Sequence, residues 1–410
     1  MPTRRDFLTL LAASAAVDPA CIDTASADPP VTSGSDIGSL YPFIAAQSAR
    51  CQRSGLPVQS CLQPAFSNFE AWRKLARSTV FESLHYAPPK CAIAPKLLSR
   101  EERDGYTQEN IEFSTTPDIR VPAAVLIPKG RTKPGPAVVA LHDHGAFYFY
   151  GREKLLEDAG DNLSLTAFRK QYYGGHSIAV EMVKRGYVVI VIDMFYWGER
   201  RLLLDKDPDD WRTRPDGISP ERITAFNRRS SELENLTGRT IYAAGFTWPG
   251  VMFWDDIRTV DYLCSRPDVD PKRIACVGLS VGGFRSCHLA ALDPRIKASV
   301  VVGWMTSFPH QLKKNVYNTI GHSMLVPGLY NSLDYCDVAC IAAPSAMLVI
   351  NGSKDGLFDR DGVNAAFKRL HAGYKKAGHP DKVRTLLFDT PHEFNTEMQA
   401  EAWDWLKKWL

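Results

Sequence analysis

The 410-residue sequence has no Cys-x-x-Cys pair and no His-x-x-x-His spacing, so the common chelating patterns for zinc are missing. It has no charge excess: the formal net charge is +3, the charges are dispersed and no long basic run occurs. That removes the electrostatic footprint of a nucleic-acid binder. Internal repeats and low-complexity tracts are missing too, which excludes solenoid architectures. The apolar run at 10–17 is too short to cross a bilayer as a helix, so it offers no stable membrane anchor. What remains is 45% hydrophobic and 23% charged, enough for a full core in one large or two modest domains.

The chain is organised around Arg273-Ile274-Ala275-Cys276-Val277-Gly278-Leu279-Ser280-Val281-Gly282-Gly283-Phe284. An apolar run of strand length feeds into Gly-Leu-Ser-Val-Gly, and a helix-compatible stretch follows. A G-x-S-x-G nucleophile elbow needs that order, with a serine at the tip of a sharp strand-to-helix turn. Gly278 and Gly282 leave room for the turn because they present no Cβ to the neighbouring strand and helix. Ser280 then stands exposed as a nucleophile, and the backbone N–H of Val281, at the helix start, faces a developing oxyanion.

The rest of the pattern is α/β. Residues 28–37 read as a flexible lead-in, and 37–84 as helical, with Phe69, Trp72, Leu75 and Ala76 on one face. Residues 28–107 are therefore expected to form a helical N-terminal extension. Residues 111–114 and 121–127 read as an antiparallel pair, and 136–141 and 187–192 as buried strands. Further strands are expected at 296–302, 346–350 and 383–388, with helices at 251–265, 363–377 and 396–410. Strands alternating with helices imply a mostly parallel, doubly wound sheet over 108–410. Two insertions, at about 196–247 and 304–335, interrupt it; the first carries a predicted helix at 220–236 and reads either as a lid or as a solvated excursion.

A serine nucleophile needs a base, and the base needs an acid to orient it. In an elbow fold they follow in the order serine, acid, histidine, from loops at strand ends. Asp355, in Asn351-Gly352-Ser353-Lys354-Asp355-Gly356, is the candidate acid and is equally placed to make an Asp-Gly turn. His392, after the last strand, is the candidate base; Asp389, Glu393 and Asp334 are weaker candidates for the acid. The second oxyanion donor is expected from His142-Asp143-His144-Gly145, through the backbone N–H of His144 or Gly145, with both histidine side chains buttressing the loop. No metal or cofactor is called for. Phe147, Tyr148, Trp197 and Trp304 fall in loops near the expected site, where they stack on a substrate ring or simply pack the core. Arg200 either binds a substrate carboxylate or pairs with neighbouring acids.

Taken together, Gly278-Leu279-Ser280-Val281-Gly282-Gly283, His392-Glu393 and Asp193…Gly198-Glu199-Arg200 resemble the α/β-hydrolase superfamily. Within it they resemble the bacterial acetyl xylan esterase and dienelactone-hydrolase-like branch. The resemblance implies an α/β-hydrolase fold and a cofactor-free serine esterase acting on a small-molecule or carbohydrate ester. The chain lacks the Arg-Gly-Gln motif of cephalosporin C deacetylases, and Val281 stands where glucuronoyl esterases carry an arginine, so neither subfamily's substrate follows. A prolyl-oligopeptidase-like peptidase has a similar elbow but brings an N-terminal propeller, which roughly 80 residues of helical extension cannot form. A non-catalytic binding protein of the same fold is the other reading, against which the intact Ser280, Asp355 and His392 weigh.

The N-terminus, Thr3-Arg4-Arg5-Asp6-Phe7-Leu8 and then the apolar run, resembles a twin-arginine export signal, with Ala25-Ser26-Ala27 as the cleavage site. Removal of residues 1–27 would leave a periplasmic or secreted protein with eight cysteines, for which one or two disulfides are expected, among Cys51, Cys61, Cys91, Cys336 and Cys340.

Overall fold

A computed structural model describes residues 34–157 and 162–410. The expected export signal, residues 1–27, lies outside them. A nine-stranded sheet carries the fold: β1 (Lys96–Glu102), β2 (Tyr106–Thr116), β3 (Ile119–Pro128), β4 (Gly135–Leu141), β5 (Val188–Ile192), β6 (Val269–Leu279), β7 (Ile296–Val302), β8 (Ala346–Gly352) and β9 (Val383–Phe388). Their spatial order is β9-β8-β7-β6-β4-β5-β3-β2-β1. Neighbours from β5 to β9 run parallel, and β3, β2 and β1 add an antiparallel edge.

The inner parallel strands β4 and β5 are apolar on both faces because helices cover both. Val188-Val189-Ile190-Val191-Ile192 and Val138-Val139-Ala140-Leu141 are buried throughout. From β4 the chain steps to β5 on one side, then returns across to β6 and continues outwards through β7, β8 and β9. Right-handed crossovers put the helices of the two arms on opposite faces. The carboxyl ends of β4 and β6 therefore flank the switch in winding direction, where an open α/β sheet leaves a crevice.

The principal helices are α1 (Tyr41–Ala49), α2 (Phe69–Leu84), α3 (Leu163–Tyr172), α4 (Ile178–Lys184), α5 (Pro220–Ala243), α6 (Trp248–Ser265), α7 (Val281–Leu292), α8 (Tyr335–Cys340), α9 (Arg360–Lys376) and α10 (Thr396–Trp409). Polar residues start them where the sequence offers a cap. Ser219 accepts from the Arg222 N–H ahead of α5, Thr247 from Gly250 ahead of α6, and Asn395 from Met398 ahead of α10.

Three expectations need correction. The segment 28–107 is not wholly helical: β1 and the start of β2 belong to the main sheet. The pattern around β1 was unreadable because an exposed edge strand has no buried face to impose alternation. In α2 the buried stripe is Trp72, Ala76, Val80 and Leu84, whereas Leu75 is exposed. All eight described cysteines are free thiols. Cys51 donates to Asn331 Oδ1 at 3.2 Å, and Cys61 and Cys340 are buried side by side against Gly373 as thiols, not as a disulfide.

Candidate active site

Ser280 sits between β6 and α7 with φ 60° and ψ −121°, a left-handed conformation that non-glycine residues rarely adopt. Its N–H bonds Val302 O at 2.8 Å, which fixes the bend. A serine at a helix start normally caps it, but here the hydroxyl makes no capping bond, because the strained backbone turns it away. The glycines around it have no spare room. A Cβ on Gly278 or Gly282 would run into the Leu141 carbonyl at the end of β4, and one on Gly283 would meet Val302 O at 2.5 Å. The elbow is thus pressed against the loop that follows β4.

Asp355 and His392 come together from the ends of β8 and β9. His392 Nδ1 donates to Asp355 Oδ2 at 2.6 Å, and the other carboxylate oxygen accepts the Leu357 N–H at 2.9 Å. The Asp355 carboxylate is fully buried, so nothing in solvent competes for the imidazole. With its proton on Nδ1, the ring keeps Nε2 as an acceptor. Ser280 and His392 open on one cavity of about 270 Å³, which Asp143, His144 and Gly145 also line. The weaker acid candidates are used elsewhere. Asp334 caps α8 and pairs with Arg369, Asp389 takes bonds from Ser353 and Lys354 at the surface, and Glu393 accepts from Asn395.

The loop after β4 is held from all sides. His142 is buried; it accepts the Met194 N–H on Nε2 at 3.1 Å and donates from Nδ1 to Asp143 O at 2.9 Å. Burial, with the Lys154 and Arg285 charges nearby, holds its imidazole well below the usual range, so it stays neutral. His144 Nδ1 accepts the Ala146 N–H at 3.0 Å, which leaves Nε2 to donate to Glu234 Oε1 at 2.9 Å. Both histidine side chains are therefore committed to shaping the loop. Gly145 has φ +56°, and a Cβ there would meet Asp143 Oδ2 and Phe168 Cζ, each at 2.5 Å. Of the three oxyanion candidates, His144 and Gly145 line the cavity, and Val281 follows Ser280 at the first position of α7.

Of the five expected substrate-binding residues, only Trp304 lines this cavity. Tyr148 and Trp197 are buried behind the loop: their rings stack with centroids 5.1 Å apart, and Trp197 packs edge-on against His144 at 4.9 Å. Phe147 faces away, into a shallow groove with Phe168 and Tyr172. Arg200 is half-buried, with its side chain covered and paired with Asp255 at 2.8 Å, so it is no substrate anchor. These residues follow the sequence order of the site but not its direction, because packing and pairing with neighbouring elements draw their side chains away from the cavity. The walls instead come from the two insertions: Glu234 of α5, and Tyr317, Asn318, Thr319 and Met324 of the excursion after β7. Glu234 lies on the predicted helix, which runs seven residues beyond its expected end at 236. Gly303 was also missed. At φ +58° its Cα faces the imidazole, and a Cβ would meet His392 Cε1 at 2.9 Å.

Many solved structures are similar to this fold, two of which illustrate it. A "putative acetyl xylan esterase" from Bacteroides fragilis NCTC 9343 superposes with a TM-score of 0.65 at 20% identity, covering 85% of this chain and 81% of that one. A "Glucuronoyl Esterase from Solibacter usitatus" gives 0.61 at 13% identity, over 87% of this chain and 99% of that one. At such identities the likeness speaks for the α/β-hydrolase fold alone. A Bacillus subtilis (strain 168) protein named "Putative hydrolase YtaP" is 28% identical over 334 residues, which are 82% of this chain and 98% of the relative. The Abhydrolase family model matches residues 58–208 and 220–405, and the chain belongs to that family.

Proposed function

We propose that this protein is a serine esterase in which Ser280, His392 and Asp355 form the acyl-transfer relay. One observation carries the reading: a strained, uncapped serine and an imidazole bound to a buried carboxylate open on the same cavity, although they are more than 100 residues apart in the chain. Ser280 Oγ attacks the ester carbonyl while His392 Nε2 takes its proton. Asp355 steadies the resulting imidazolium. The N–H groups of Val281 and of His144 or Gly145 receive the oxyanion. The imidazolium then protonates the leaving alcohol, and water attacks the acyl-Ser280 by the same route, releasing the acid and restoring the hydroxyl.

The cavity also speaks on substrate. Its volume suits a short acyl group, and its polar wall of Tyr317, Asn318, Thr319 and Glu234 suits a hydroxyl-bearing alcohol such as a sugar. Among the described residues no lysine or arginine lines it, and Glu234 repels an anion. An acetylated, uncharged carbohydrate or similar small ester fits best. The test is hydrolysis of p-nitrophenyl acetate by the wild type and by Ser280→Ala, with a panel of acetylated sugars, aromatic esters and carboxylate-bearing esters. Turnover should vanish in the variant while the circular dichroism spectrum is kept. Retained turnover removes Ser280 from the mechanism.

A further inference from the structure

Lys154 takes no part in the relay, yet it is fully buried directly behind the oxyanion loop. It lies on the short helical turn Arg152–Leu155. Its ammonium donates to Asp143 O at 2.8 Å and to His144 O at 3.0 Å, with the Asp143 carboxylate at 3.6 Å. The Phe168 ring lies 5.3 Å away and the Phe147 ring 6.0 Å away. A second donor, Trp197 Nε1, reaches His144 O at 3.2 Å. A buried cation costs several kcal/mol unless its donors are used, so a lysine here needs a reason beyond packing.

The reason lies in the peptide plane. In a trans peptide, the C=O of one residue and the N–H of the next point in opposite directions. The peptide groups in question join Asp143 to His144 and His144 to Gly145, and both are trans. With the two carbonyls drawn to Lys154, the N–H groups of His144 and Gly145 are turned the other way. Neither N–H has a backbone acceptor among the described residues, and both residues line the cavity that holds Ser280.

We propose that Lys154 is a positioning residue, which with Trp197 clamps the Asp143 and His144 carbonyls on the buried side so that the paired N–H groups face the oxyanion site. The assignment rests on the esterase reading above. Burial draws the Lys154 ammonium down to about 8, and the Asp143 carboxylate opposes that fall. Asp143 is itself held by the Tyr173 hydroxyl at 2.5 Å, so the clamp is a closed set of buried polar partners.

The test compares wild type, Lys154→Met and Trp197→Phe in p-nitrophenyl acetate turnover and in inhibition by phenylboronic acid, whose serine adduct mimics the tetrahedral intermediate. One oxyanion donor is worth about 100- to 1,000-fold in kcat, and a misdirected donor less, so Lys154→Met should lose about 10- to 100-fold in kcat with KM within about twofold. Phenylboronic acid should weaken by the same factor. Trp197→Phe removes the indole N–H along with part of a buried ring, should show a smaller loss of the same pattern, in which kcat and boronate affinity fall together, and carries the test if Lys154→Met fails to fold. Unchanged kcat in the folded variants overturns the clamp and leaves the esterase reading standing. So does a fall in kcat with undiminished boronate affinity, the pattern of a merely structural lysine. A wild type without turnover, whose Ser280 a fluorophosphonate does not label, overturns the esterase reading and the clamp with it.

Discussion

Replacing Asp355 by asparagine tests the relay at its most constrained point. The two carboxylate oxygens have different duties: Oδ1 accepts the Leu357 N–H at 2.9 Å, and Oδ2 accepts from His392 Nδ1 at 2.6 Å. An asparagine must keep its carbonyl towards Leu357, because turning it would set N–H against N–H in a buried site. Its amide nitrogen then faces Nδ1 and donates to it. The imidazole is forced into the other tautomer, with the proton on Nε2, where it can no longer accept from Ser280. Inverting the tautomer in this way is worth about 10,000-fold in a comparable relay, or roughly 5 kcal/mol of transition-state stabilisation. The shape is conserved, so global stability should fall by only about 1 kcal/mol. The assay is kcat/KM on p-nitrophenyl acetate beside a urea unfolding curve, with Asp355→Ala as the variant that removes the orienting group without imposing the wrong tautomer. A folded Asp355→Asn enzyme within tenfold of wild type would refute the assignment of Asp355 as the orienting acid.

Other predictions follow from single contacts. Gly303→Ala places a methyl about 2.9 Å from His392 Cε1 and strains a backbone at φ +58°; it should cut kcat about 10- to 100-fold, read on the same ester, with a stability loss of about 1 to 2 kcal/mol. Glu234→Gln keeps the bond from His144 Nε2 but removes the negative charge from the cavity wall. The ratio of kcat/KM for a carboxylate-bearing ester to that for its neutral analogue should rise by about fivefold to tenfold. Acid stability depends on His288, whose imidazole desolvation pushes down to about 4, against an ordinary value near 6.5 in the unfolded chain. Between those values the unfolded chain takes up a proton that the folded chain refuses. The contribution is therefore full above about pH 6.5 and is lost as the pH falls towards 4, by about 3 kcal/mol. His288→Gln should flatten the slope of urea stability against pH over that range.

The legible parts of this protein share a physical cause. Strands β4 and β5 could be read to within a residue because a parallel strand covered on both faces must be a short, unbroken apolar run. The elbow was legible because its glycines answer steric demands made by atoms only one strand away, the Leu141 and Val302 carbonyls. Asp355 and His392 could be placed because strand-end loops follow the strand order. The cavity wall was not legible in the same way. Phe147, Tyr148, Trp197 and Arg200 sit at the right loops but on their buried sides, while Glu234 and Met324 arrive from insertions whose own pattern says only helix or loop. The edge strand β1 was missed because solvent imposes no alternation on it.

By itself, then, the order of residues determined the α/β class, the strand that ends in Ser280 and the strand-end loops that bring Asp355 to His392, since local sterics and burial on two faces leave few alternatives for such segments. Only the folded chain decided which side of each loop meets the cavity, that Glu234 closes one wall and that Lys154 braces the Asp143 and His144 carbonyls. Those outcomes depend on how far insertions reach and which way peptide planes turn, and both are set by contacts between residues ten or more apart in the chain, which no local pattern encodes.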